Sequence, residues 1–279
     1  MLRIGEYNTL VVDREKDFGF YLVDKQSKED VLLPKSLAEG MGVEVGKEIE
    51  VFIYRDSKDR PIATFKKPLA TVGEVAYLKV VHQGDFGAFI DFGLDRDIFV
   101  PLKEQRYKLH TGKKYLFYIY LDKTGRLAAT TDVEGYIEIA AEDTFKVGDE
   151  VTAMVFSKTN SGTLNVAIDG KYRGLVLPNE YYDEVHPGHE LKLRVKRVYE
   201  DGVIGLTPRK TRLNERDEIQ EKIVAYMRKN GGFMEFNDKS NPDDIKAVFG
   251  TSKNYFKMAL GGLMKKGMLA QDKEGSRLL

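Results

Sequence analysis

Short stretches of alternating apolar and polar residues, separated by turns that contain glycine, repeat along most of the chain. In the clearest copy, Gly73 opens an alternating strand, Gly84 lies in a turn, and the motif Phe86-Gly87-Ala88-Phe89 begins the next strand. An earlier copy has Gly5 and the motif Phe18-Gly19-Phe20-Tyr21 at the same places. Alternation with a period of two predicts half-buried strands, and its recurrence with the same landmarks predicts tandem repeats.

Each repeat contains five short strands, and the third strand ends in proline, at Pro34, Pro101 and Pro178. Five short strands with glycine turns are too few for a sandwich and fit a small closed barrel, for which the five-stranded oligonucleotide-binding (OB) barrel is the natural candidate. The third repeat is degenerate, because Ser161-Gly162-Thr163-Leu164 replaces the aromatic motif. We predict barrel 1, barrel 2, a linker and barrel 3 over residues 1–68, 69–132, 133–146 and 147–210.

The pattern changes to helical periodicity in residues 211–279. A helix is predicted from about Glu215 to Lys229, then a short strand, a helix that Asn241 caps, and a third helix after Ser252. A hairpin around Lys273-Glu274-Gly275 closes the chain, so this α+β domain has the order of a winged helix-turn-helix. We expect the third helix to bury Phe256, Leu260, Leu263 and Met264. The fold class is therefore mainly β, with three barrels followed by a winged helix.

Composition and charge narrow the function. Lys plus Arg equal Asp plus Glu at 44 each, so the net charge is +0 and any contact with nucleic acid must come from local patches. There is no cysteine, which excludes disulfides and thiolate metal sites. The chain opens without a signal-peptide pattern and has no apolar run of membrane-spanning length. We expect a cytoplasmic protein that does not bind membranes.

No motif predicts an enzyme, a cofactor or a metal ion. His186 and His189 flank Pro187 and Gly188, which cannot adopt the helical spacing that usually presents a pair of metal ligands. By repeat alignment they belong to a connection between strands. Glycine pairs elsewhere lack the neighbouring Lys-Ser/Thr of a phosphate-binding loop. We therefore predict no catalytic residue.

Two family resemblances follow from these motifs. The order of glycine, alternating strand, Phe-Gly-x-Phe and a strand ending in Val-x-Pro resembles the S-one RNA-binding domain, named after a bacterial ribosomal protein. The prolines Pro34, Pro101 and Pro178 stand where that domain usually has a histidine. Three such barrels and a winged helix that contains Asn241–Leu263 resemble the conserved virulence factor B family. This resemblance implies a bacterial RNA-binding regulator.

Aromatic residues on the second strand are the first candidates for RNA contact. A base stacked on an aromatic ring is worth about 1–3 kcal/mol with little dependence on the base. Glycine inside the motif permits a bend that presents both rings, and the alternative is that one ring of each pair belongs to the core. On the strand before the motif of barrel 2, a lysine and a histidine could add a phosphate contact and a hydrogen bond. The candidates are Phe18, Tyr21, Phe86, Phe89, Lys79 and His82.

A second signal comes from the outward positions of the fourth strand. They hold Glu50, Phe52 and Tyr54 in barrel 1 and Leu116, Tyr118 and Tyr120 in barrel 2, and these aromatics predict either packing between barrels or a stacking shelf. In barrel 3 they are basic, and the third helix of the winged helix is basic too, which suggests phosphate contacts or, alternatively, an ordinary solvated face. These candidates are Lys192, Arg194, Lys196, Lys253, Lys257, Lys265 and Lys266.

These observations favour a non-catalytic protein that binds single-stranded RNA and regulates bacterial gene expression after transcription. The main alternative is a scaffold for protein interactions on the ribosome or RNA polymerase, with the outward aromatics as docking surfaces. A DNA-binding transcription factor is a third interpretation. It is less favoured, because only the winged helix among the four domains suits duplex DNA.

Overall fold

A computed structural model describes residues 1–209 and 212–279, with side chains over 1–209 and 216–279. The chain divides into two compact units, Met1–Thr207 and Pro208–Leu279. The predicted boundary between residues 210 and 211 lies outside the described residues, and the other predicted domain boundaries stay predictions. No helix in the described part of the chain is long and apolar enough to cross a membrane.

Three closed five-stranded barrels make up the described residues of the first unit, which confirms the predicted fold. In each barrel the first strand pairs with the second and the fourth, and the fifth closes the ring between the third and the fourth. Barrel 1 contains β1 (Tyr7–Lys16), β2 (Gly19–Val23), β3 (Asp30–Pro34), α1 (Lys35–Ala38), β4 (Glu48–Arg55) and β5 (Pro61–Thr64). Barrel 2 contains β6 (Val75–Gly84), β7 (Gly87–Ile90), β8 (Ile98–Pro101), β9 (Lys114–Leu121) and β10 (Leu127–Thr130). Barrel 3 contains β11 (Glu150–Lys158), β12 (Leu164–Ile168), β13 (Tyr172–Val176), β14 (Glu190–Val198) and β15 (Ile204–Thr207).

A glycine before the fourth strand recurs because the turn requires it. Gly46, Gly112 and Gly188 have φ angles of 88°, 85° and 91°, a region that side chains with a Cβ rarely adopt. Each donates its backbone N–H to a carbonyl of the first strand, at 2.8, 2.7 and 2.8 Å. The same local requirement therefore sets the same turn in all three barrels, including the degenerate third.

The barrels bury side chains against one another. Phe52 and Tyr54 of β4 belong to the core cluster of barrel 2, and Leu116 of β9 joins a cluster with Met154 and Phe156 of β11. Fully burying a large apolar side chain stabilises the folded state by about 1.5–3 kcal/mol. For Phe52, Tyr54 and Leu116, packing between barrels is confirmed, and these three cannot form an exposed shelf. The outward Tyr118 and Tyr120 are half-buried.

The predicted linker, 133–146, packs on both of its neighbours. Tyr136 stacks on Tyr118 of barrel 2 with ring centroids 3.4 Å apart. Glu138 forms a parallel bridge with Tyr172 of barrel 3, and Ala140 belongs to the barrel 3 core. The segment is thus part of the contact between barrels 2 and 3.

The second unit has the predicted order of a winged helix. Asn241 caps α3 by accepting a hydrogen bond from the backbone N–H of Asp243, and Ser252 caps α4 in the same way through Tyr255. Phe256, Leu260 and Leu263 are buried, but Met264 is 40% exposed, so the prediction that Met264 faces inward is wrong. The elements are α2 (Arg212–Lys229), β16 (Phe233–Met234), α3 (Pro242–Phe249), α4 (Lys253–Lys265), β17 (Leu269–Gln271) and β18 (Ser276–Leu278).

Candidate nucleic-acid interface

A β-bulge in the first strand of every barrel sets the geometry of the candidate face. The register between the first and second strands shifts between Val12 and Arg14, between Val80 and His82, and between Val155 and Ser157. In each barrel, the first residue of the first strand after the bulge pairs directly with a residue of the second strand. Cross-strand partners point to the same face of a sheet. The three pairs are Arg14 with Tyr21, His82 with Phe89, and Ser157 with Asn165.

In barrel 2 this pairing continues into a row of rings on the outer face. His82 lies opposite Phe89, which lies opposite Phe99 of β8. The ring centroids are 6.1 Å apart for His82 and Phe89 and 5.1 Å apart for Phe89 and Phe99. Phe86 is 83% exposed in the preceding turn, and Phe89 is 36% exposed. Both rings of the motif are therefore accessible, as stacking requires.

Gly87 explains the spacing of the aromatic motif. A Cβ at Gly87 would lie 2.8 Å from Cε2 of Phe99 and 2.3 Å from the backbone oxygen of Val100. Only glycine lets the Phe99 ring lie against strand β7 at this point. The glycine thus places Phe99 beside Phe89, a role that the sequence analysis did not recognise.

A groove of about 630 Å³ lies between barrels 1 and 2, next to the row of rings. Its walls carry basic and acidic side chains, and Phe89, Phe99 and the half-buried Tyr120 contribute aromatic surface. The charged lining residues are Arg55, Asp56, Asp59, Arg96, Asp97, Lys103, Asp122 and Arg126. Rings beside cations are the combination that binds a single strand, because rings stack bases and cations hold phosphates.

Two carboxyl groups of the groove have opposite pKa shifts. Arg126 donates two hydrogen bonds to Asp59, at 3.0 and 2.9 Å, and these hold the pKa of Asp59 below its ordinary value. This pair also links barrel 1 to barrel 2. Burial, with a smaller contribution from the charge of Asp91, raises the pKa of Asp97. Asp97 is itself exposed, and the neighbouring Arg96 partly offsets the effect of Asp91 on its pKa.

Barrel 1 presents a different surface at the same place. The Arg14 guanidinium lies over the Tyr21 ring, with Cζ 4.1 Å from the ring centroid. Asp13 and Asp30 accept hydrogen bonds from Arg14 at 2.7 and 2.8 Å, which fixes its position. Phe18 is 56% exposed. A base that approaches barrel 1 would therefore meet the Arg14 plane and Phe18, while Tyr21 lies beneath the guanidinium.

The predicted basic residues of the barrels do not form one surface. Lys79 pairs in register with Lys114 of β9 and so lies outside the row. In barrel 3, Lys192 is exposed and Arg194 is half-buried. Lys196 forms an ion pair of 2.6 Å with Glu180, which is buried. The positive charge of Lys196 is thus already compensated by this carboxylate.

The four predicted lysines of the winged helix also differ in their contacts. Lys257 and Lys265 are exposed on and at the end of α4. Lys253 donates to the backbone oxygen of Lys239 at 3.2 Å, and Lys266 donates to Oε1 of Gln220 at 2.7 Å. The charges of Lys257 and Lys265 are therefore the more accessible pair for phosphates.

Family models match both parts of the chain. One, described as S1 domain, is the S-one domain named above and matches residues 4–66 and 72–132. Another, described as CvfB-like winged helix domain, matches residues 221–278. Conserved virulence factor B of Staphylococcus epidermidis (strain ATCC 12228 / FDA PCI 1200) is 30% identical over 260 residues, which cover 89% of this chain and 86% of the relative.

The chain belongs to the conserved virulence factor B family. Another similar protein, YitL of Bacillus subtilis (strain 168), is 34% identical over 97% of this chain and 92% of its own length. A crystal structure from Streptococcus pneumoniae, described as a multidomain protein with nucleic acid binding domains, aligns with a TM-score of 0.54 and 28% identity. That alignment covers 99% of this chain and 98% of the other. The family resemblance inferred from the sequence is confirmed.

Several residues of the interface were missed by the sequence analysis. Phe99 alternates with the buried Ile98 and Val100, which marked it as outward-facing, but its contact with Phe89 depends on the barrel register. Arg14 was missed, although it occupies the position in barrel 1 that the predicted His82 occupies in barrel 2, and the bulge brings each of them opposite the aromatic motif. Arg96 and Lys103 lie in connections whose course has no periodic signal.

Proposed function

We propose that the protein binds single-stranded RNA without cleaving it, and that barrel 2 is the principal site. The observation that carries this proposal is the row of His82, Phe89 and Phe99 with Phe86 exposed beside it. Flat rings on an open face stack unpaired bases, which a duplex does not offer. The resemblance to a family of bacterial RNA-binding regulators extends the proposal to a role in regulating gene expression after transcription.

Charge would hold the backbone of the strand beside the stacked bases. Arg96 and Lys103 line the groove next to Phe89 and Phe99, so a base on the row brings its phosphate within reach of a cation. Arg14 and Phe18 would provide a second stacking place on barrel 1. Buried contacts between barrels 1 and 2 fix these two places relative to each other, which raises the effective concentration of the second contact.

The winged helix would add phosphate contacts through Lys257 and Lys265, which are exposed. Such contacts are independent of sequence, and their contribution falls with salt. The row of barrel 2 would supply the part of the affinity that salt does not remove, since stacking is not an interaction between charges.

Replacing both exposed rings, as in Phe86→Ala/Phe89→Ala, tests the proposal. At about 1–3 kcal/mol for each stacked base, the loss of two rings should raise the Kd for single-stranded RNA about 30-fold or more. Fluorescence anisotropy with a labelled 12-nucleotide RNA measures the Kd, and gel analysis should recover the RNA uncut. Met41→Ala, which shortens an exposed apolar side chain of barrel 1 that does not line the groove, is the control. Unchanged affinity of the double variant would contradict the stacking role and favour a protein scaffold.

A further inference from the structure

Barrel 3 carries a polar cleft at the place where barrel 2 carries its aromatic row. The same register in barrel 3 runs from Ser157 to Asn165, Leu175 and Gly205, and ends at Arg197. Asn165 stands where barrel 2 has Phe89 and Leu175 where it has Phe99. The sequence of barrel 3 shows the loss of the aromatic motif and basic residues on β14, but not this cleft.

The cleft has the dimensions and lining of a small-molecule site. Its volume is about 520 Å³, within the roughly 300–1,000 Å³ that ligand pockets occupy. The lining combines apolar side chains with a small number of polar groups, as such sites do. The lining residues are Ile139, Asn165, Arg173, Leu175, Tyr199, Asp201 and Val203.

One wall of the cleft is the Tyr199 ring, which can lie close to strand β15 because Gly205 has no side chain. A Cβ at Gly205 would lie 2.9 Å from Cε2 of Tyr199, so the ring lies directly over strand β15. The Arg197 guanidinium lies 5.1 Å from the centroid of the same ring. Leu175 pairs with Gly205 across the sheet and so lies beside the Tyr199 ring. The cleft therefore offers a flat base an aromatic surface and an aliphatic one.

Asn165 supplies the hydrogen-bonding group. Its Nδ2 donates to Oγ of Ser157 at 2.8 Å, which fixes the orientation of the amide. Within residues 1–209 this is the one side-chain hydrogen bond of Asn165, so Oδ1 and the second N–H of Nδ2 remain available. An amide presents a donor beside an acceptor. Base edges present the complementary pair, and asparagine pairs with adenine in this way.

Arg173 is fixed at the rim of the cleft. Glu134 of the linker accepts a hydrogen bond from the Arg173 guanidinium at 2.5 Å. Ile139 of the same linker lies over Gly202, where a Cβ would approach it to 2.4 Å. The linker thus closes one side of the cleft.

We infer that this cleft of barrel 3 binds one unpaired nucleobase of the RNA and selects it through hydrogen bonds with the Asn165 amide. The inference rests on the proposed function and adds to it a source of base preference. Barrels 1 and 2 accept any base by stacking, whereas the half-buried Asn165 amide discriminates because a wrong base that covers it in the cleft would leave its polar groups unpaired.

Asn165→Asp tests the inference with little change in shape. It replaces the amide donor by a carboxylate oxygen, so the side chain can no longer offer a donor beside an acceptor. The Kd values of the full chain for labelled A12, C12 and U12 RNA are measured for wild type and variant, with the melting temperature as a check of folding. Wild type should prefer one base by at least about fivefold, and the variant should lose that preference. Tyr199→Phe keeps the ring and should retain the preference, while Tyr199→Ala should weaken binding of the preferred RNA.

The outcomes separate this inference from the proposed function. RNA binding without base preference in wild type, or with a preference that Asn165→Asp retains, would overturn the inference alone. Absence of RNA binding in wild type would overturn both. The free nucleoside monophosphate of the preferred base serves as a competitor at equal nucleotide concentration. If it leaves the preference intact, the cleft takes bases within RNA; if it abolishes the preference, the cleft takes a free nucleotide and the assignment to RNA is wrong.

Discussion

Phe52 provides a direct test of the contact between barrels 1 and 2. Its side chain leaves strand β4 of barrel 1, is fully buried, and belongs to the core cluster of barrel 2. Its ring lies 5.5 Å from that of Tyr7 in barrel 1 and 6.0 Å from that of Phe92 in barrel 2, measured between centroids. Truncation of a buried phenylalanine to alanine costs about 3–5 kcal/mol, because apolar contact is lost and a cavity remains.

Phe52→Ala should therefore lower the free energy of unfolding by about 3–5 kcal/mol. For a unit of this size each kcal/mol shifts the melting temperature by about 2–4 °C, so we expect a decrease of about 6–20 °C. Differential scanning calorimetry of the full chain measures the shift and should show barrel 1 melting separately from barrel 2 in the variant.

Phe86→Ala is a matched control for this experiment, since it removes the same ring from a position that is 83% exposed. A surface substitution of this kind should change stability by no more than about 0.5 kcal/mol. Equal melting temperatures for Phe52→Ala and Phe86→Ala would refute the account of Phe52 as part of a contact between barrels.

Two further substitutions test the groove and the contact between barrels 2 and 3. Because burial raises the pKa of Asp97 above its ordinary 3.8, the fold disfavours its charged form. Asp97 is exposed and solvent screens its charge, so Asp97→Asn should raise the free energy of unfolding at pH 7 only slightly. Denaturation curves should show this gain vanishing as the pH falls below 3.8, where the wild-type carboxyl is protonated in both states. Gly188→Ala should lower the melting temperature by several degrees, because its Cβ would lie 2.6 Å from the Tyr115 ring at a φ of +91°. If Gly188→Ala melts at the same temperature as wild type, the close approach of Gly188 to Tyr115 is contradicted. If the effect of Asp97→Asn on the free energy of unfolding does not depend on pH, the raised pKa of Asp97 is contradicted.

The sequence was sufficient for the architecture because each repeat contains local signals that do not depend on the rest of the protein. Gly46, Gly112 and Gly188 mark the same turn, and the capping residues Asn241 and Ser252 mark helix starts that the structure reproduces. These signals act over a few residues, so they survive even in barrel 3, whose binding surface has changed.

The candidate site was only partly predictable, because it depends on register and on neighbouring barrels. Phe86 and Phe89 could be identified from their motif, but the bulge that sets His82 opposite Phe89 has no distinct sequence signal. Periodicity showed that Phe52 faces outward from its own barrel, but could not show that another barrel covers it. Likewise, Lys196 has the sequence context of an exposed base and forms an ion pair with Glu180, which is distant along the chain.

The central claim, that the barrels bind unpaired RNA, is tested most directly by titrating the full chain against labelled single-stranded RNA, single-stranded DNA and duplex DNA over a range of salt. We predict tightest binding to single-stranded RNA, with log affinity falling by about 0.7 for each phosphate contacted as log salt rises. Phe86→Ala/Phe89→Ala should weaken this binding without changing the slope, because rings hold bases and not phosphates. Absence of binding to all three, or preference for duplex DNA, would contradict the account.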